Sequence, residues 1–460
     1  MSFRRYRKYK DSGVEWLGEV PGHWDVKALK NVISRIESGV SVNAIDTPAA
    51  EGEIGVLKTS CVYRGWFDPA ENKAVVPEEY ERVACPVTAG TLIVSRMNTP
   101  DLVGAAGMVG ESHPDLFLPD RLWQVHFADA HAAFIHYWTH SPLYRAQVQQ
   151  VCAGASSSMQ NLAQDQFRAF TLALPPVREQ TAIAAFLERE TAKIDALVAE
   201  QQTLIALLKE KRQALISHAV TKGLDPDVPM KDSGVAWLGE VPAYWDLFPL
   251  KRDLDFLTSG SRGWASNYSD DGALFIRIGN LTRETIELDL SDIHRVAVPE
   301  GAEGERTRLH PGDLLFSITA YLGSVAVVPD GLEAAYVSQH VALARLSQEH
   351  FLPEWAAFVA LSDVGKVYLA SQGYGGTKIQ LSLDDVANLP MPVPPKREQE
   401  KILSLLKAEL QKLEMLATEA DATITLLQER RTALISAAVT GKIDVRNLPA
   451  ASAEPTPEPA

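Results

Sequence analysis

Residues that could carry chemistry are present in this sequence, but their spacing matches no known catalytic or metal-binding pattern. Gly373–Lys378 is rich in glycine but lacks the GxxxxGK[ST] spacing of a loop that cradles phosphates. Cys61, Cys85 and Cys152 stand far apart, which argues against a zinc site and against a disulfide framework. The histidines form no ligand pattern. We therefore expect no catalytic residue, no metal and no cofactor on this chain, and a binding or assembly protein rather than an enzyme.

Composition and charge limit the class of protein further. The chain has 460 residues and a net charge of −15, from 44 basic and 59 acidic side chains. No apolar run approaches the ~18 residues of a membrane helix, and no apolar stretch follows the basic segment Met1–Lys10. We expect a cytoplasmic protein without a membrane contact. The acidic balance argues against a nucleic-acid-binding protein that acts alone, because such proteins usually carry a basic face.

The sequence contains a tandem repeat. Lys10–Lys30 and Lys231–Lys251 are identical at 15 of 21 positions. PPVREQ at 175–180 returns as PPKREQ at 394–399, and a third match stands at the end of each unit. Three matches in the same order and at nearly the same offset indicate a duplication in which each unit has an opening motif, a divergent block and a long helix.

Short β-branched runs bounded by Gly and Pro dominate both blocks, which predicts α+β domains with mixed sheets. The shared tryptophans of the opening motifs, namely Trp16, Trp24, Trp237 and Trp245, are expected to pack onto the fold rather than to stack on bases.

The predicted segments are an opening segment (1–25), a first block (26–174), a first helix (175–223), a repeated opening segment (224–246), a second block (247–393), a second helix (394–444) and a disordered tail (445–460).

A heptad pattern runs through both predicted helices. Apolar residues follow alternating steps of four and three from Ile183 to Leu215, and the pattern recurs in the second repeat from Ile402 to Leu434. The predicted seam is Ile183, Leu187, Glu190, Ile194, Leu197, Leu204, Leu208, Lys211 and Leu215 in the first helix, and Ile402, Leu406, Glu409, Leu413, Leu416, Leu427, Arg430 and Leu434 in the second.

The polar seam positions favour an antiparallel pair of helices. A parallel pair would place Glu190 opposite Glu409 and Lys211 opposite Arg430, so that like charges meet. An antiparallel pair would place Glu190 near Arg430 and Lys211 near Glu409, so that opposite charges meet. We predict an antiparallel coiled coil within the chain, with a pseudo-twofold axis. The alternative is that each helix packs on its own block.

The whole arrangement resembles the specificity subunit of type I restriction-modification systems. The resemblance covers nearly the full chain and rests on the doubled KDSGVxWLGEVPxxW motif, the doubled PPVREQ and PPKREQ junctions and the shared helix ends. It implies that each block is a target recognition domain for one half of a bipartite double-stranded DNA sequence, and that the helices fix the spacer and dock two modification subunits. It also implies two restriction subunits, with S-adenosylmethionine, ATP and Mg held by the partners, and no catalysis by this chain.

Direct readout of bases needs side chains that donate and accept hydrogen bonds in a groove. With the resemblance, we expect these side chains in three places of each block: before the junction, after the central strand, and in an earlier basic segment. The candidates are Ser157, Ser158, Gln160, Asn161, Thr377, Lys378 and Gln380 in the first place, Arg96, Asn98 and Tyr321 in the second, and Lys58, Arg64, Arg277, Asn280 and Arg283 in the third.

Two other functions stay open at this point. A non-catalytic coiled-coil scaffold for two protein-binding domains explains the acidity better, since residues 26–173 carry 11 basic against 15 acidic side chains and residues 247–391 carry 11 against 19. An enzyme with an unrecognised site is the third possibility. Sequence-specific retention of DNA by the assembled complex would separate the recognition subunit from the scaffold.

Overall fold

The computed structural model describes residues 3–152, 159–260, 262–298, 301–320, 322–374 and 379–446. The chain forms two compact units. The first comprises Met1–Glu200 and Thr423–Ala460, and the second comprises Gln201–Ala422. Because the division falls inside both long helices, each unit contains one part of each of them.

The helices are α1 (Ala132–Thr139), α2 (Pro142–Cys152), α3 (Gln164–Ala169), α4 (Val177–Lys222), α5 (Ala302–Thr307), α6 (Pro353–Leu361), α7 (Asp363–Gln372), α8 (Leu383–Ala387) and α9 (Lys396–Val439). The long helices α4 and α9 begin directly after the proline pairs of the two junctions. Gly223 and Gly441 follow their ends with φ values of +74° and +73°, a left-handed conformation that glycine adopts without strain. The bounds of α4 lie within one or two residues of the predicted 175–223, whereas α9 ends at Val439, five residues before the predicted end at 444.

The strands of the first unit are β1 (Tyr9–Asp11), β2 (Glu19–Pro21), β3 (Asp25–Ala28), β4 (Ile33–Ser38), β5 (Ala44–Ile45), β6 (Gly55–Leu57), β7 (Asn72–Val75), β8 (Pro86–Val87), β9 (Leu92–Ser95), β10 (Met97–Asn98), β11 (Ala106–Met108), β12 (His113–Phe117), β13 (Leu122–Phe127), β14 (Gln160–Asn161) and β15 (Thr171–Leu174). An antiparallel sheet has the order β11-β9-β13-β4, and a mixed sheet has the order β5-β7-β6-β12-β8. Leu57 and Cys61 pack with Ile93 and Leu122, which joins the two sheets through one apolar cluster.

The strands of the second unit are β16 (Met230–Asp232), β17 (Glu240–Pro242), β18 (Asp246–Pro249), β19 (Leu254–Ser259), β20 (Tyr268–Ile276), β21 (Arg295–Val296), β22 (Leu314–Ser317), β23 (Val325–Val327), β24 (Ala335–Val337), β25 (Val341–Leu346) and β26 (Pro390–Val393). The antiparallel sheet has the order β19-β25-β22-β23, and the mixed sheet has the order β21-β20-β24. The antiparallel sheets of the two units thus have the same topology, although their sequences align only loosely. The predicted α+β class with mixed sheets is confirmed.

The long helices belong to the hydrophobic cores of the units. In the first unit, Leu187 of α4 and Val439 of α9 lie in one core with Trp123. In the second, Ile216 of α4 and Leu410 of α9 lie in one core that also contains aromatic residues of the block. Complete burial of such a side chain stabilises a fold by about 1.5–3 kcal/mol. Because each core contains residues of both helices and of the block, helix pairing and packing on the block occur together.

Ion pairs fix the relative direction of the helices inside each unit. In the first unit, Nε of Arg431 lies 2.9 Å from Oδ1 of Asp195. In the second, Nη1 of Arg212 lies 3.1 Å from Oε2 of Glu414. In the first unit, Leu187 shares a core with Val439 and, eight residues later, Asp195 contacts Arg431, so residue numbers rise along α4 while those of the facing α9 residues fall. The antiparallel direction is confirmed.

The predicted seam is wrong at alternate positions. Ile194, Leu208 and Leu413 are buried as expected of a seam, but Leu197 and Leu416 are 44% and 48% exposed. The remaining predicted positions divide into buried Ile183, Leu187, Ile402 and Leu406, half-buried Glu190, Leu215, Leu427 and Leu434, and exposed Leu204, Lys211, Glu409 and Arg430. The residue that follows each exposed site is less exposed. These inward residues are Val198, Ile205 and Arg212 of α4 and Leu410, Ala417 and Arg431 of α9; Thr191, which follows the half-buried Glu190, is also buried.

The same shift changes which charges meet. Glu190 accepts hydrogen bonds from Arg189 and Lys193 of its own helix, each at 3.1 Å, so the predicted contact with Arg430 is wrong. The Lys412 ammonium lies 2.5 Å from Glu409 and, with a smaller contribution from Lys211, holds the pKa of that carboxyl below its usual value. Opposite charges still face each other across the pair, but Asp195 and Arg431 carry the contact in the first unit.

The predicted tail begins too early. Val445 is buried in the core of the first unit, and the backbone N–H of Asp444 donates to the carbonyl of Arg4. Residues 447–460 lie outside the described part of the chain. The chain after α9 therefore continues as packed structure for several residues.

Candidate nucleic-acid interface

Four segments of the first unit meet at one edge of its sheets. β6 and β12 are parallel, with Val56 beside Phe117, so the segments that follow them leave at the same edge. β9 and β13 are antiparallel, with Ser95 opposite Leu122, so the end of β9 and the start of β13 meet there as well. The first loop edge is defined here as residues 58–64, 96–98, 118–121 and 160–161.

Hydrogen bonds hold the segments of the first loop edge together. Asn98 pairs with Gln160 between β10 and β14. Nε of Arg96 donates to the carbonyl of Asp120 at 2.7 Å, and Nδ2 of Asn98 donates to the hydroxyl of Tyr63 at 2.8 Å. The three places that the sequence singled out in this block therefore come together at one site.

The second unit builds the same site from different residues. Ile276 lies beside Val337 in the parallel pair of β20 and β24, and Ser317 lies opposite Val341 in the antiparallel pair of β22 and β25. The second loop edge is defined here as residues 262–264, 277–283, 318–320, 338–340, 374 and 379–380. A bridge between Thr319 and Gln380 reproduces the pairing of β10 with β14.

Two cavities of about 450 and 330 Å³ lie along the second loop edge and share Gln339 and His340. The larger is also lined by Trp264, Tyr268 and Arg277, and the smaller by Arg262, Thr319, Tyr374 and Gln380. Aromatic faces can stack on bases, while Arg and Gln side chains can hydrogen-bond to base edges. The lining of both cavities therefore suits contact with nucleic acid.

A glycine allows the backbone to close up beside each loop edge. A Cβ atom on Gly39 would lie 1.6 Å from the carbonyl oxygen of Leu118, and a Cβ atom on Gly260 would lie 2.1 Å from the carbonyl oxygen of Ser338. Because real Cβ contacts are never so short, no other residue fits at either position without a shift of the backbone. Glycines at equivalent positions of the two repeats thus fix the two loop edges in the same way.

Two predicted base-reading residues have a structural role instead. Asn98 and Asn280 are buried. Nδ2 of Asn98 donates to the hydroxyls of Tyr63 and Ser95 at 2.8 and 3.2 Å. Nδ2 of Asn280 donates to two backbone carbonyls at 2.8 and 3.0 Å, and its Oδ1 accepts from the N–H of Arg277 at 2.9 Å. Their amides are used within the protein, so the prediction that they read bases is wrong.

Two predicted cations are paired with carboxylates. Nζ of Lys58 lies 3.5 Å from Oδ1 of Asp46, and Nη2 of Arg277 lies 3.0 Å from Oδ2 of Asp292. Lys73, with Lys58 adding a smaller effect, holds the pKa of Asp46 below its usual value. Nε of Arg277 is buried and has no hydrogen-bond partner among the described residues.

The other predicted residues divide by exposure. Arg64, Asn161, Arg283 and Gln380 are exposed, and Arg96 and Gln160 are half-buried. Nη2 of Arg283 donates to the carbonyl of Leu322 at 3.4 Å. The predicted residues Ser157, Ser158, Tyr321, Thr377 and Lys378 lie outside the described residues.

The sequence analysis missed polar residues that the topology brings to the loop edges. Arg121 stands in the turn between β12 and β13, and Gln339 and His340 stand in the equivalent turn between β24 and β25. Arg262 lines the smaller cavity. Arg121 directly precedes the apolar strand LWQVHF, and His340 directly precedes the apolar strand VALARL. Their common position before the same strand of both repeats could have identified them from the sequence.

The shared opening motifs pack onto the start of each long helix. Nε1 of Trp24 donates to Oε1 of Glu179 at 3.1 Å, and Nε1 of Trp245 donates to Oε1 of Glu398 at 3.3 Å. Tyr6 also donates to Glu179, and burial followed by that carboxylate raises the pKa of Tyr6 above its usual value. The glutamate of the PPVREQ and PPKREQ junctions therefore anchors the opening motif.

The prediction for the shared tryptophans is correct for one pair and wrong for the other. Trp24 and Trp245 are fully buried, but Trp16 and Trp237 are 44% and 42% exposed. The ring centroid of Trp237 lies 6.1 Å from that of Tyr368. Packing on the fold therefore explains only half of the tryptophans that the repeats retain.

Two kinds of site are not found within the described residues. No group of three or more His, Cys, Asp or Glu side chains there could hold a metal ion. Among the same residues, no helix is both long and apolar enough to span a membrane.

Comparisons with known proteins point to type I restriction-modification systems. The model of the type I restriction modification DNA specificity domain matches residues 278–423. The MjaX type I restriction enzyme specificity subunit of Methanocaldococcus jannaschii is 21% identical over 94% of this chain and 96% of its own length. The chain is thus similar to specificity subunits of type I restriction enzymes over nearly its full length, and to their DNA specificity domain in its second repeat.

Further proteins match parts of the chain or share its fold. The EcoKI specificity subunit of Escherichia coli K12 is 30% identical over 43% of this chain, and the match spans 39% of that protein. A solved chain from a study of assembly and conformational transition of the type I system covers 92% of this chain with a TM-score of 0.66 and 18% identity. The HsdS subunit of Thermoanaerobacter tengcongensis has a TM-score of 0.51 and 16% identity over 92% of this chain. These structural matches show a common fold.

Proposed function

We propose that this chain is a specificity subunit of a type I restriction-modification system and that each unit reads one half of a bipartite DNA sequence through its loop edge. The observation that carries the proposal is the convergence of the same three topological places at one edge in both units, with different side chains at each. Arg121 and Arg96 supply donors in the first unit, while Gln339, His340 and Arg262 supply donors and acceptors in the second. Such groups distinguish base pairs in the major groove.

The exposed apolar side chains of the long helices support a docking role. Leu197 and Leu416 are equivalent and exposed, and so are Leu207 and Leu426. The same outward apolar positions thus recur in both helices, as expected when two copies of one partner bind. We assign these positions to the docking of two modification subunits, with the helices fixing the spacer between half-sites.

The partners then supply the chemistry and part of the DNA affinity. Both blocks carry net negative charge, so phosphate neutralisation by this chain alone is weak. We propose that the modification subunits bind S-adenosylmethionine and that two restriction subunits use ATP and Mg. In this scheme the chain itself transfers no methyl group and acts in the cytoplasm.

A long-read methylation map of the host genome, with and without this gene, tests the proposal. Loss of N6-methyladenine at one bipartite motif supports it and reveals both half-sites. If no motif changes while the modification subunit is expressed, DNA recognition by this chain is contradicted and the scaffold function is favoured. Methyl transfer by the purified chain without partners would contradict the non-catalytic assignment.

A further inference from the structure

The two opening motifs each present one exposed tryptophan. Trp16 and Trp237 are 44% and 42% exposed, whereas the leucine that follows each of them, Leu17 and Leu238, is buried. Single exposed apolar residues are common on protein surfaces. Here the same exposed indole occurs at equivalent positions of both units, beside a buried leucine that holds its loop in place.

The loops that carry these tryptophans have the same conformation. Oδ1 of Asp11 accepts from the N–H of Gly13 at 2.9 Å, and Oδ1 of Asp232 accepts from the N–H of Gly234 at 2.9 Å. Both of these glycines have a φ of +72°. The backbone bond that closes each loop, from Ser12 to Gly18 and from Ser233 to Gly239, measures 3.0 Å in both units.

The surroundings of the loops differ between the units. Leu17 belongs to the large core of the first unit, whereas Leu238 lies in a small separate cluster with Val241 and Val364. The loop conformation is therefore set by its own residues, and not by the neighbours that each loop contacts. Each unit presents the same preformed surface.

Resting on the proposed function, we propose that Trp16 and Trp237 anchor the two modification subunits, one on each unit. Tryptophan is enriched among residues that dominate binding energy, because a large rigid indole enters a pocket with little loss of conformational entropy. The exposed carboxylates of Glu19 and Glu240 stand three residues after the tryptophans. The partner surface is therefore an apolar pocket for an indole beside a basic side chain.

Replacement of each tryptophan tests the proposal through the number of bound partners. Wild-type chain, Trp16→Ala, Trp237→Ala and the double variant are mixed with the modification subunit, and the copies bound are counted by native mass spectrometry. We expect two copies on the wild-type chain, one on each single variant and none on the double variant. The affinity of each altered site falls by about 30-fold or more.

Trp66→Ala is the matched control. Trp66 is 52% exposed, and the equivalent residue in the second block is Thr285, so the repeats do not share this tryptophan. The control is expected to keep two copies. Circular dichroism and urea unfolding of all variants should match the wild-type chain, because the replaced side chains are largely outside the cores.

Several outcomes would overturn the proposal. Two copies on the double variant with unchanged affinity would show that the tryptophans are not anchors. If the double variant binds two copies but retains less DNA than the wild-type chain, the indoles would be assigned to base stacking. If the wild-type chain binds no modification subunit, the docking part of the proposed function fails and this inference fails with it. If the wild-type chain and the double variant both bind two copies, this inference fails but the proposed function stands.

Discussion

Nε of Arg431 lies 2.9 Å from Oδ1 of Asp195, and this contact between the two long helices recurs in the other unit. Arg212 and Glu414 stand at the equivalent positions of the repeat, with their atoms 3.1 Å apart. Each pair takes its cation from one helix and its carboxylate from the other. The duplication therefore preserved a pair of charges that favours the antiparallel direction.

Charge reversal at this pair should lower the stability of the first unit. In Arg431→Glu, two carboxylates face each other, and the free energy of unfolding should fall by about 0.2–1 kcal/mol, because the pair is partly exposed. Adding Asp195→Lys should recover most of the loss. The coupling energy of a double-mutant cycle, from urea unfolding, checks the prediction.

Lys193→Glu provides the control, since Lys193 forms its ion pair with Glu190 of the same helix, α4. When Lys193→Glu and Arg431→Glu are combined, their changes in the free energy of unfolding should add. A double reversal of Asp195 and Arg431 that is no more stable than the single reversal would contradict the role of the pair.

The corrected seam makes a second prediction. Ile194→Ala should lower the free energy of unfolding by about 2–5 kcal/mol, because it removes a buried side chain and leaves a cavity. Leu197→Ala should change it by less than about 0.5 kcal/mol, since this leucine is exposed. Leu413 and Leu416 form the matched pair in the second unit. Equal losses of unfolding free energy for Ile194→Ala and Leu197→Ala would contradict the corrected seam and support the one predicted from the sequence.

The error in the seam has a physical cause. Leu197 and Val198 are both apolar, and so are Leu204 and Ile205, so a heptad pattern fits either member of each pair. The charged residues that were used to choose the direction, Glu190 and Lys211, stand at the ambiguous positions. The direction itself was predictable, because opposite charges face each other across an antiparallel pair in both readings.

The loop edges were predictable only in part for a different reason. The pairing of the segments after β9 and before the junction follows from their equivalent positions in the two repeats. Arg121 reaches the first loop edge because β6 and β12 are parallel neighbours. His340 reaches the second loop edge because β20 and β24 are parallel neighbours. Such a pairing of distant strands leaves no local pattern in the sequence.

Buried and exposed polar residues of the second loop edge should behave differently. Asn280→Ala removes three hydrogen bonds from a buried site and should lower the free energy of unfolding by about 1–3 kcal/mol, with the methylated motif unchanged. A combined Gln339→Ala and His340→Ala variant should keep the stability within about 0.5 kcal/mol and relax one half of the motif.

Unfolding in urea and methylation mapping of the same variants check both parts. The half of the motif that the first unit reads should stay the same in each case. Loss of specificity in Asn280→Ala without loss of stability would contradict the structural role of this amide.

The last prediction concerns pH and two histidines of α1. Nε2 of His140 lies 3.1 Å from Nε2 of His136, which in turn lies 2.9 Å from the carbonyl oxygen of Gly65. Burial, followed by the neighbouring His136, lowers the pKa of His140 to about 3, and burial lowers the pKa of His136 as well. The imidazole of His140 is therefore neutral in the folded chain at pH 5, and burial favours the neutral form of His136 as well.

An unfolded histidine takes up a proton near pH 6.5. The stabilisation from the neutral pair is thus complete above pH 6.5 and is lost as the pH falls toward the lower folded-state values. For His140, the free energy of unfolding of the first unit should fall by up to about 1.4 kcal/mol per pH unit. Urea unfolding at pH 7.5, 6 and 5 measures this slope above the range in which most carboxylates titrate. In His140→Gln the slope should be smaller than in the wild-type chain, and equal slopes would contradict the assignment.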